Sequence, residues 1–277
     1  MKKKVCIVLV CYNAYLDAKK LLNSLHDALK LGSNIELTVV FSDNSTELFD
    51  TNSLYENRYN FEYQYIKNGN VGYFPGFYAG LQYIDYKSKD FDYVIVSNVD
   101  LVVDKFFFTK LAKTDIKVNV GIIAPSIISK THGGSSNPKI MNRPSKRKLL
   151  VLKSIFSNVF LFSTYNLLSQ LKAKFTTSRK ENKSIEYVDM YAPHGAFIIF
   201  TNNYLRSIAK INYPRFLFGE EVFVAEESRL NSLKITYEPN LIIYDNEHGS
   251  TSLEKNKFIS MEHVKSYDYL LKTYYSD

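Results

Sequence analysis

Two oxygen-bearing side chains, Asn98 and Asp100, follow a run of residues that favours a buried strand. The run, Tyr93 to Ser97, is almost continuously apolar, as in a strand that is covered on both faces. Ligands of open α/β sheets bind beyond the carboxyl ends of the strands. A carboxylate at that place can bind a divalent cation, which in turn stabilises the negative charge of a diphosphate. Taken alone, the pair is better explained by an ordinary turn that ends a strand.

Two further predicted strands end in polar residues of the same kind. Val5 to Val10 leads to Tyr12 and Asn13, and Glu36 to Phe41 leads to Asp43. Parallel strands place their carboxyl ends along one edge of the sheet, so three such endings and a glycine loop together favour a nucleotide site. The residues expected at this site are Tyr12, Asn13, Asp43, Asn70, Gly72, Gly76 and Asn98.

Two adjacent acids, Glu220 and Glu221, open a predicted helix after the apolar run that ends at Gly219. Acids are common in a first helical turn because they complement the helix dipole. A carboxylate in a cleft also accepts the proton of a reacting hydroxyl group. Neighbouring helical residues point about 100° apart, so only one of the two acids is expected to aim into a cleft.

The elements that would position these residues alternate between strand and helix. Leu21, Leu22, Leu25 and Leu29 mark one face of a helix between the first two strands. A strand, a helix and a strand within about 40 residues predict a right-handed βαβ unit with parallel strands. The C-terminal helix, Ser252 to Tyr275, is expected to pack through Phe258, Met261, Val264, Tyr267 and Leu271.

Composition limits the class of protein. The 277 residues are 45% hydrophobic and carry a formal charge of +7, which fits an anionic partner such as nucleic acid, nucleotide phosphate or an anionic membrane. No basic-aromatic motif of a known nucleic-acid reader is present, so nucleic acid is not expected. Cys6 and Cys11 would lie roughly 16 Å apart on one strand, too far for a disulfide. The absence of a signal-peptide pattern then predicts a cytoplasmic protein.

Residues 131–185 differ in character from the rest. Leu149 to Leu171 is mostly apolar, with Lys153 as its only charge, and the basic run Lys146-Arg147-Lys148 precedes it. The stretch is long enough to cross a bilayer, but eight polar residues dilute it. Two interpretations remain open: an amphipathic helix on anionic lipid, and a helical insertion that packs on the core.

The motifs of the first 100 residues resemble those of the family 2 glycosyltransferases, which have the GT-A fold. Val10-Cys11-Tyr12-Asn13 resembles the family's Pro-x-Tyr-Asn ending, and Asp43-Asn44-Ser45 its Asp-Asn-x-Ser segment. Asn70 to Gly76 resembles the Asn-x-Gly-Phe-Ala-x-Gly loop. Ser97 to Asp100 occupies the place of the Asp-x-Asp metal motif, with Asn98 instead of the first Asp.

The resemblance continues in the second half. Phe216 to Phe223 resembles the Phe-x-x-x-Glu-Asp-x-Asp block, so Glu220 takes the Glu place, Glu221 takes the place of the catalytic base, and Phe223 replaces the second Asp. Asn246 to Thr251 resembles a late His-x-x-x-Ser segment, in which His248 would be a metal ligand. His194 to Phe200 resembles a strand that lies near the acceptor.

The resemblance implies a single GT-A domain over residues 1–277, with a Rossmann-like, mostly parallel sheet and helices on both faces. Residues 1–130 would form the nucleotide-sugar-binding half, 131–185 a helical and basic insertion, 186–250 the acceptor and catalytic half, and 251–277 a C-terminal helix.

The resemblance also implies an inverting glycosyltransferase of cell-surface polysaccharide synthesis, with a nucleotide-sugar donor and a glycan or lipid-linked acceptor. Asp100 and His248, helped by Asn98, would hold Mn²⁺ or Mg²⁺, and Glu221, or Glu220 as second choice, would be the base. Asp43 would face the donor's base or ribose, and Tyr12 and Asn13 its base and phosphate. Peripheral contact with the inner face of an anionic membrane is expected.

Two other classes compete. A nucleotidyltransferase shares the sheet and the metal, but the stretch after strand one, Tyr12 to Asp17, lacks the glycine and basic residues expected of it. A non-catalytic protein that binds nucleotide sugars is favoured by Asn98 and Phe223, which replace acids of the family motifs.

Overall fold

A nine-stranded sheet organises the described part of the chain. The computed structural model describes residues 2–32, 34–47, 54, 59–87, 89–129, 134–165, 167–168, 188–246 and 253–276. The strands are β1 (Lys3–Cys11), β2 (Ile35–Asp43), β3 (Glu62–Lys67), β4 (Tyr93–Asn98), β5 (Leu101–Val103), β6 (Val120–Ser129), β7 (Val188–Met190), β8 (Phe197–Thr201) and β9 (Lys234–Asp245). The helices are α1 (Tyr15–Leu31), α2 (Tyr73–Tyr83), α3 (Phe107–Lys113), α4 (Lys146–Phe156), α5 (Asn202–Leu205), α6 (Glu220–Leu230) and α7 (Leu253–Tyr274).

The order of the strands places the polar strand ends together. The order is β3-β2-β1-β4-β8-β6-β9-β5, and β7 pairs with β9. The first four strands are mutually parallel, whereas β8 runs antiparallel to its neighbours β4 and β6. Cys11 lies opposite Asp43, and Val10 lies opposite Asn98. The predicted α/β fold, with its sheet edge of polar strand ends, is confirmed.

The side chains of β1 alternate between two hydrophobic clusters. Val5, Ile7 and Leu9 belong to the cluster on the α1 side, and Cys6 and Val8 to the cluster on the opposite side. The four leucines predicted for the inner face of α1 are all buried. Full burial of one such side chain contributes about 1.5–3 kcal/mol, so this face fixes α1 against the sheet. The two cysteines are buried free thiols, as expected.

Helix α4 packs on α7 through one face. Leu149 and Phe156 of α4 are buried, as is Phe162 beyond its end, and the ring of Phe156 lies 4.7 Å from the ring of His263. Lys153 forms an ion pair of 2.5 Å with Asp268. One face of the insertion thus packs on the C-terminal helix, while the predicted apolar stretch beyond Leu168 lies outside the described residues. None of the described helices has the length and apolar character needed to cross a membrane.

The packing face predicted for the C-terminal helix is wrong at its N-terminal end. Phe258 is 46% exposed and Met261 is 49% exposed, whereas Ser260, Ser266 and Leu270 are buried. The small serines allow close approach: Ser260 donates to the carbonyl of Phe156, and Ser266 to that of Phe218. Apolar periodicity alone could not identify a helix face whose contacts are made by hydroxyl groups.

Candidate active site

Two adjoining cavities open at the carboxyl edge of the sheet. The first has a volume of about 710 Å³ and the second about 720 Å³, and both are lined by Val10, Tyr12 and Asn98. Glu220 and Glu221 line the first cavity, and Asp100 and Asn13 line the second. Each volume is typical of a small-molecule site.

A left-handed turn delivers the acid pair to the first cavity. Phe218 has φ +65° and Gly219 has φ +84°, and α6 begins immediately after them. The carbonyl oxygen of Phe218 accepts hydrogen bonds from the hydroxyls of Tyr213, at 2.9 Å, and Ser266, at 2.8 Å. A Cβ at Gly219 would lie 2.0 Å from Ser266 Oγ. The turn therefore needs glycine, and α7 holds it in place.

Both acids of the pair reach the same point of the cavity wall. A Cβ built on Gly195 would lie 2.9 Å from Glu220 Oε1 and 3.3 Å from Glu221 Oε1. Tyr73 fixes this wall by donating its hydroxyl to the carbonyl of Gly195 at 2.9 Å. The expectation that only one acid aims into the cleft is wrong, because Gly195 has no side chain and leaves room for both carboxylates.

The two carboxylates differ in charge. Burial opposes the ionisation of Glu221, but Lys139 Nζ, 2.7 Å from Glu221 Oε1, outweighs it and holds the pKa of Glu221 below its usual value. Burial, followed by the charge of Glu221, raises the pKa of Glu220 to about 8. Near neutral pH the pair therefore holds one carboxylate and one carboxylic acid.

A neutral histidine lies beside the ion pair. Burial, followed by the charge of Lys139, lowers the pKa of His194 to about 4. Its Nδ1 accepts a hydrogen bond from the backbone N–H of Ala196 at 3.2 Å. His194 thus adds a polar but uncharged group to the first cavity.

Lys139 was not found from the sequence. It lies 82 residues before Glu221, in a loop that no motif marked. Asn137 anchors this loop: its Nδ2 donates to the carbonyl of Pro125 at 2.9 Å, and its Oδ1 accepts from the N–H of His194 at 2.8 Å. A lysine in a loop gives no local signal, because its partner is decided by the tertiary fold.

The oxygens at the end of β4 fit a divalent cation. Asn98 lines both cavities and Asp100 lines the second, so an amide and a carboxylate oxygen stand at the strand end. One or two carboxylates combined with substrate phosphates are the usual way in which proteins hold Mg²⁺. Within the described residues, no three His, Cys, Asp or Glu side chains come together as a metal cluster.

His248 lies outside the described residues, so its expected ligand role stays a prediction. The N–H of Asn246, two residues earlier, donates to the carbonyl of Asp100 at 3.2 Å.

Asp43 holds the strand ends together and lines neither cavity. Its carboxylate is fully buried and accepts hydrogen bonds from Tyr15 at 3.0 Å, Tyr65 at 2.8 Å and Lys67 at 2.9 Å. The backbone N–H of Ser45 donates to it as well, at 2.9 Å. These contacts give Asp43 a structural role at the strand ends, and its expected contact with the donor stays a prediction.

Tyr12 and Asn13 have different roles. Tyr12 is 51% exposed and lies where the cavities meet. Asn13, with φ +51°, accepts hydrogen bonds through its side-chain oxygen from the N–H groups of Thr46, at 3.1 Å, and Glu47, at 3.2 Å. Asn13 therefore ties the end of β1 to the loop after β2 while also lining the second cavity.

Gly72, before α2, and Gly76, in its first turn, allow close contact with neighbouring loops of the protein. A Cβ at Gly72 would lie 2.3 Å from the carbonyl oxygen of Phe216, and a Cβ at Gly76 would lie 2.6 Å from Asn44 Nδ2. Asn44 also donates to the carbonyl of Gly72 at 2.7 Å. Asn70 and Gly72 line the first cavity, and Gly76 lines neither cavity. The space left by the missing side chains of Gly72 and Gly76 is occupied by Phe216 and Asn44 of neighbouring loops.

We expect Gly72→Ala to destabilise the fold more than Gly69→Ala. Both glycines have positive φ, +98° and +70°, but a Cβ at Gly69 would meet nothing within 4 Å. The control therefore carries only the backbone strain, of about 1–3 kcal/mol. Gly72→Ala adds a clash with the backbone of Phe216, worth about 1–3 kcal/mol more. Denaturant unfolding measures both, and equal losses would contradict the packing role of Gly72.

Comparison with known proteins identifies the family. The family model described as "Glycosyl transferase family 2" matches residues 6–175, which is more than half of the chain. No curated protein matches the sequence.

Solved structures show the same fold. Staphylococcus aureus TarS is 14% identical with a TM-score of 0.51, over 99% of this chain and 40% of TarS. A structure of TarS 1–349 in complex with UDP-GlcNAc is 14% identical with a TM-score of 0.52, over 96% of this chain and 66% of that one. GalNAc-T7 with UDP, GalNAc and Mn²⁺ is 14% identical with a TM-score of 0.55, over 94% of this chain and 48% of that one. The chain thus spans less than half of TarS or GalNAc-T7, and at this identity the likeness concerns the fold alone. The motifs, the sheet and the family match together show that the chain belongs to glycosyl transferase family 2 and has the GT-A fold.

Proposed function

We propose that the protein transfers a sugar from a nucleotide-sugar donor to a hydroxyl of a glycan or lipid-linked acceptor of the cell surface, with inversion at the anomeric carbon. The observation that carries this proposal is the meeting of the two cavities at Asn98. One cavity holds Asp100, which suits a diphosphate and its cation, and the other holds Glu220 and Glu221. Relatives in fold are solved with UDP-GlcNAc, and with UDP and Mn²⁺, which supports the choice of donor and cation.

The donor occupies the second cavity in this proposal. The half-exposed ring of Tyr12 stacks on its base, and its diphosphate lies at the end of β4. Asp100 and Asn98 would hold a divalent cation, Mn²⁺ or Mg²⁺, which when bound stabilises the charge that develops on the leaving diphosphate. The sugar then points across Asn98 into the first cavity.

The acceptor meets the acid pair in the first cavity. Glu221 takes the proton of the attacking hydroxyl while the acceptor oxygen bonds to the anomeric carbon. The bond from that carbon to the diphosphate oxygen breaks on the opposite side, and its electron pair leaves with the diphosphate. Lys139 binds Oε1 of Glu221 at 2.7 Å, which favours the ionised form of the carboxylate that this step requires.

A thermal-shift screen tests the donor assignment. UDP, GDP, dTDP and CMP are each added with and without Mn²⁺, and Mn²⁺ alone is the control. We expect at least one nucleoside diphosphate to raise the melting temperature more with Mn²⁺ than without it, because a ligand that binds only the folded state stabilises it. No shift with any nucleotide would contradict the proposal.

Lys139→Met is expected to move the acid limb of the pH–turnover profile to higher pH. Without the ammonium group, the burial of Glu221 is no longer offset, and this base becomes protonated at a higher pH. Glu220 and His194 face the same site but are neutral near pH 7, so they do not replace the lost positive charge. We expect a loss of about tenfold in turnover at pH 6 and little loss at pH 8.5. Lys139→Arg keeps the charge and should keep the profile, whereas an unchanged acid limb in Lys139→Met would contradict this role.

A further inference from the structure

The helical residues of the insertion expose an unusual number of large apolar side chains. Six of them are Leu150, Val151, Phe160, Leu161, Leu167 and Leu168, called here the insertion surface. Phe160 is 74% exposed and Leu168 is 65% exposed. Single exposed apolar residues are normal, but a concentration of this kind marks a contact with a membrane or a partner.

The stretch of sequence that contains the insertion surface is strongly basic. Residues 131–180 contain ten lysines and arginines and no aspartate or glutamate. The rest of the chain contains the other 25 of the 35 basic residues and all 28 acidic residues. The positive net charge of the protein therefore comes from this segment. Lys146, Arg147 and Lys148 are the first three residues of α4, their side chains are exposed, and only the buried Leu149 separates them from Leu150. This charge is complementary to an anionic surface.

The insertion surface is connected to the first cavity through aromatic packing. On the buried side of α4, the ring of Phe156 packs on His263, which in turn stacks on Phe218 with 3.7 Å between ring centroids. Phe218 lines the first cavity, as does the half-exposed Phe258 of α7. The ring of Phe258 lies 5.8 Å from that of Phe216, another residue of the cavity wall. Aromatic packing therefore links α4, which carries part of the insertion surface, to α7 and to the lining of the first cavity.

We propose that the insertion surface docks peripherally on an anionic lipid bilayer and holds the first cavity next to a lipid-linked acceptor. Apolar side chains enter the boundary between headgroups and acyl chains, while lysine and arginine contact the anionic headgroups. The choice of a lipid-linked over a free glycan acceptor rests on the proposed function, whereas the docking itself does not.

Vesicle co-sedimentation without nucleotide tests the docking. The vesicles are pure phosphatidylcholine, or phosphatidylcholine with phosphatidylglycerol. We expect binding to the anionic vesicles only, weakened by salt. The variant Lys146→Gln/Arg147→Gln/Lys148→Gln should lower partitioning by about 10²-fold. Phe160→Ser/Leu161→Ser/Leu168→Ser should lower it at least about tenfold.

A matched control removes apolar side chains elsewhere. Val118 is 88% exposed and Ile208 is 93% exposed, and neither lies in the insertion, so Val118→Ser/Ile208→Ser should bind like the parent protein. Unchanged melting temperatures exclude misfolding of a variant. Equal binding to both kinds of vesicle, or binding to neither, would overturn the proposal. So would a dimer in light scattering that Phe160→Ser/Leu161→Ser/Leu168→Ser abolishes, because a second copy would then cover the surface. Failure of the nucleotide screen would leave the docking result intact, and failure of docking would leave the donor assignment intact.

Discussion

Replacing Glu221 with glutamine is expected to lower turnover by about 10²–10⁴-fold while leaving the affinity for the donor nearly unchanged. Glutamine keeps the size of the side chain but cannot take a proton from the acceptor hydroxyl. The carboxylate lies in the first cavity with Lys139, whereas the donor diphosphate is assigned to the second cavity beside Asp100. Steady-state turnover measured beside a donor titration separates the two effects.

Glu220→Gln is the matched control for this experiment. Because burial keeps Glu220 largely protonated near neutral pH, an amide of the same shape should preserve most of the turnover. Glu220→Gln should instead change how the free energy of unfolding depends on pH. The folded-state pKa of Glu220 is raised from its ordinary value of 4.5 to about 8. Such an acid stabilises the fold at pH values below 4.5, and this stabilisation is lost as the pH rises from 4.5 through 8. Glu220→Gln should remove that slope from the pH dependence of the free energy of unfolding.

The pair of variants can contradict the assignment in two ways. Near-normal turnover in Glu221→Gln with a collapse in Glu220→Gln would move the base back by one residue. Normal turnover in both would exclude a base at the start of α6.

Asp100→Ala is expected to abolish the part of donor binding that depends on Mn²⁺. In the described part of the chain, Asp100 is the carboxylate at the end of β4, where the second cavity meets Asn98. Calorimetric titration with the nucleoside diphosphate, with and without Mn²⁺, measures this effect without requiring turnover. Asn98→Asp introduces a second carboxylate beside Asp100 and should strengthen the dependence of donor binding on Mn²⁺.

Asp17→Ala is the control for this site. Asp17 lines the second cavity too, but it lies on α1 and pairs with Lys20 at 2.8 Å. Its removal should leave the Mn²⁺ dependence unchanged. The same Mn²⁺ dependence in Asp100→Ala as in the parent protein would show that the cation site lies elsewhere.

The sheet and its functional edge could be predicted from the sequence because their signals are local. The apolar run that ends at Asn98 and Asp100 indicates a strand buried on both faces, and the leucine face of α1 indicates a helix that packs on the sheet between two parallel strands. The turn at Gly219 and the two acids after it are contiguous in the chain, so the start of α6 could be placed as well.

The remaining features of the site depend on contacts between distant residues. Lys139 meets Glu221 across 82 residues, and only the packing of the Asn137 loop on β6 and on the approach to β8 brings them together. Asp43 stands at a predicted strand end, but tyrosines from α1 and β3 cover it. Such contacts have no periodicity or spacing from which to predict them. The role of His248 stays a prediction.

The most direct test of the central claim is nuclear magnetic resonance of a reaction with a nucleotide sugar, Mn²⁺ and a panel of free and polyprenyl-linked sugars. The ³¹P spectrum identifies the phosphate product, and the ¹H spectrum gives the anomeric configuration of the transferred sugar. We predict release of the nucleoside diphosphate with transfer of an α-linked donor sugar into a β-linkage. Exchange of pyrophosphate in place of diphosphate release, or retention of the α-configuration in the product, would contradict the account.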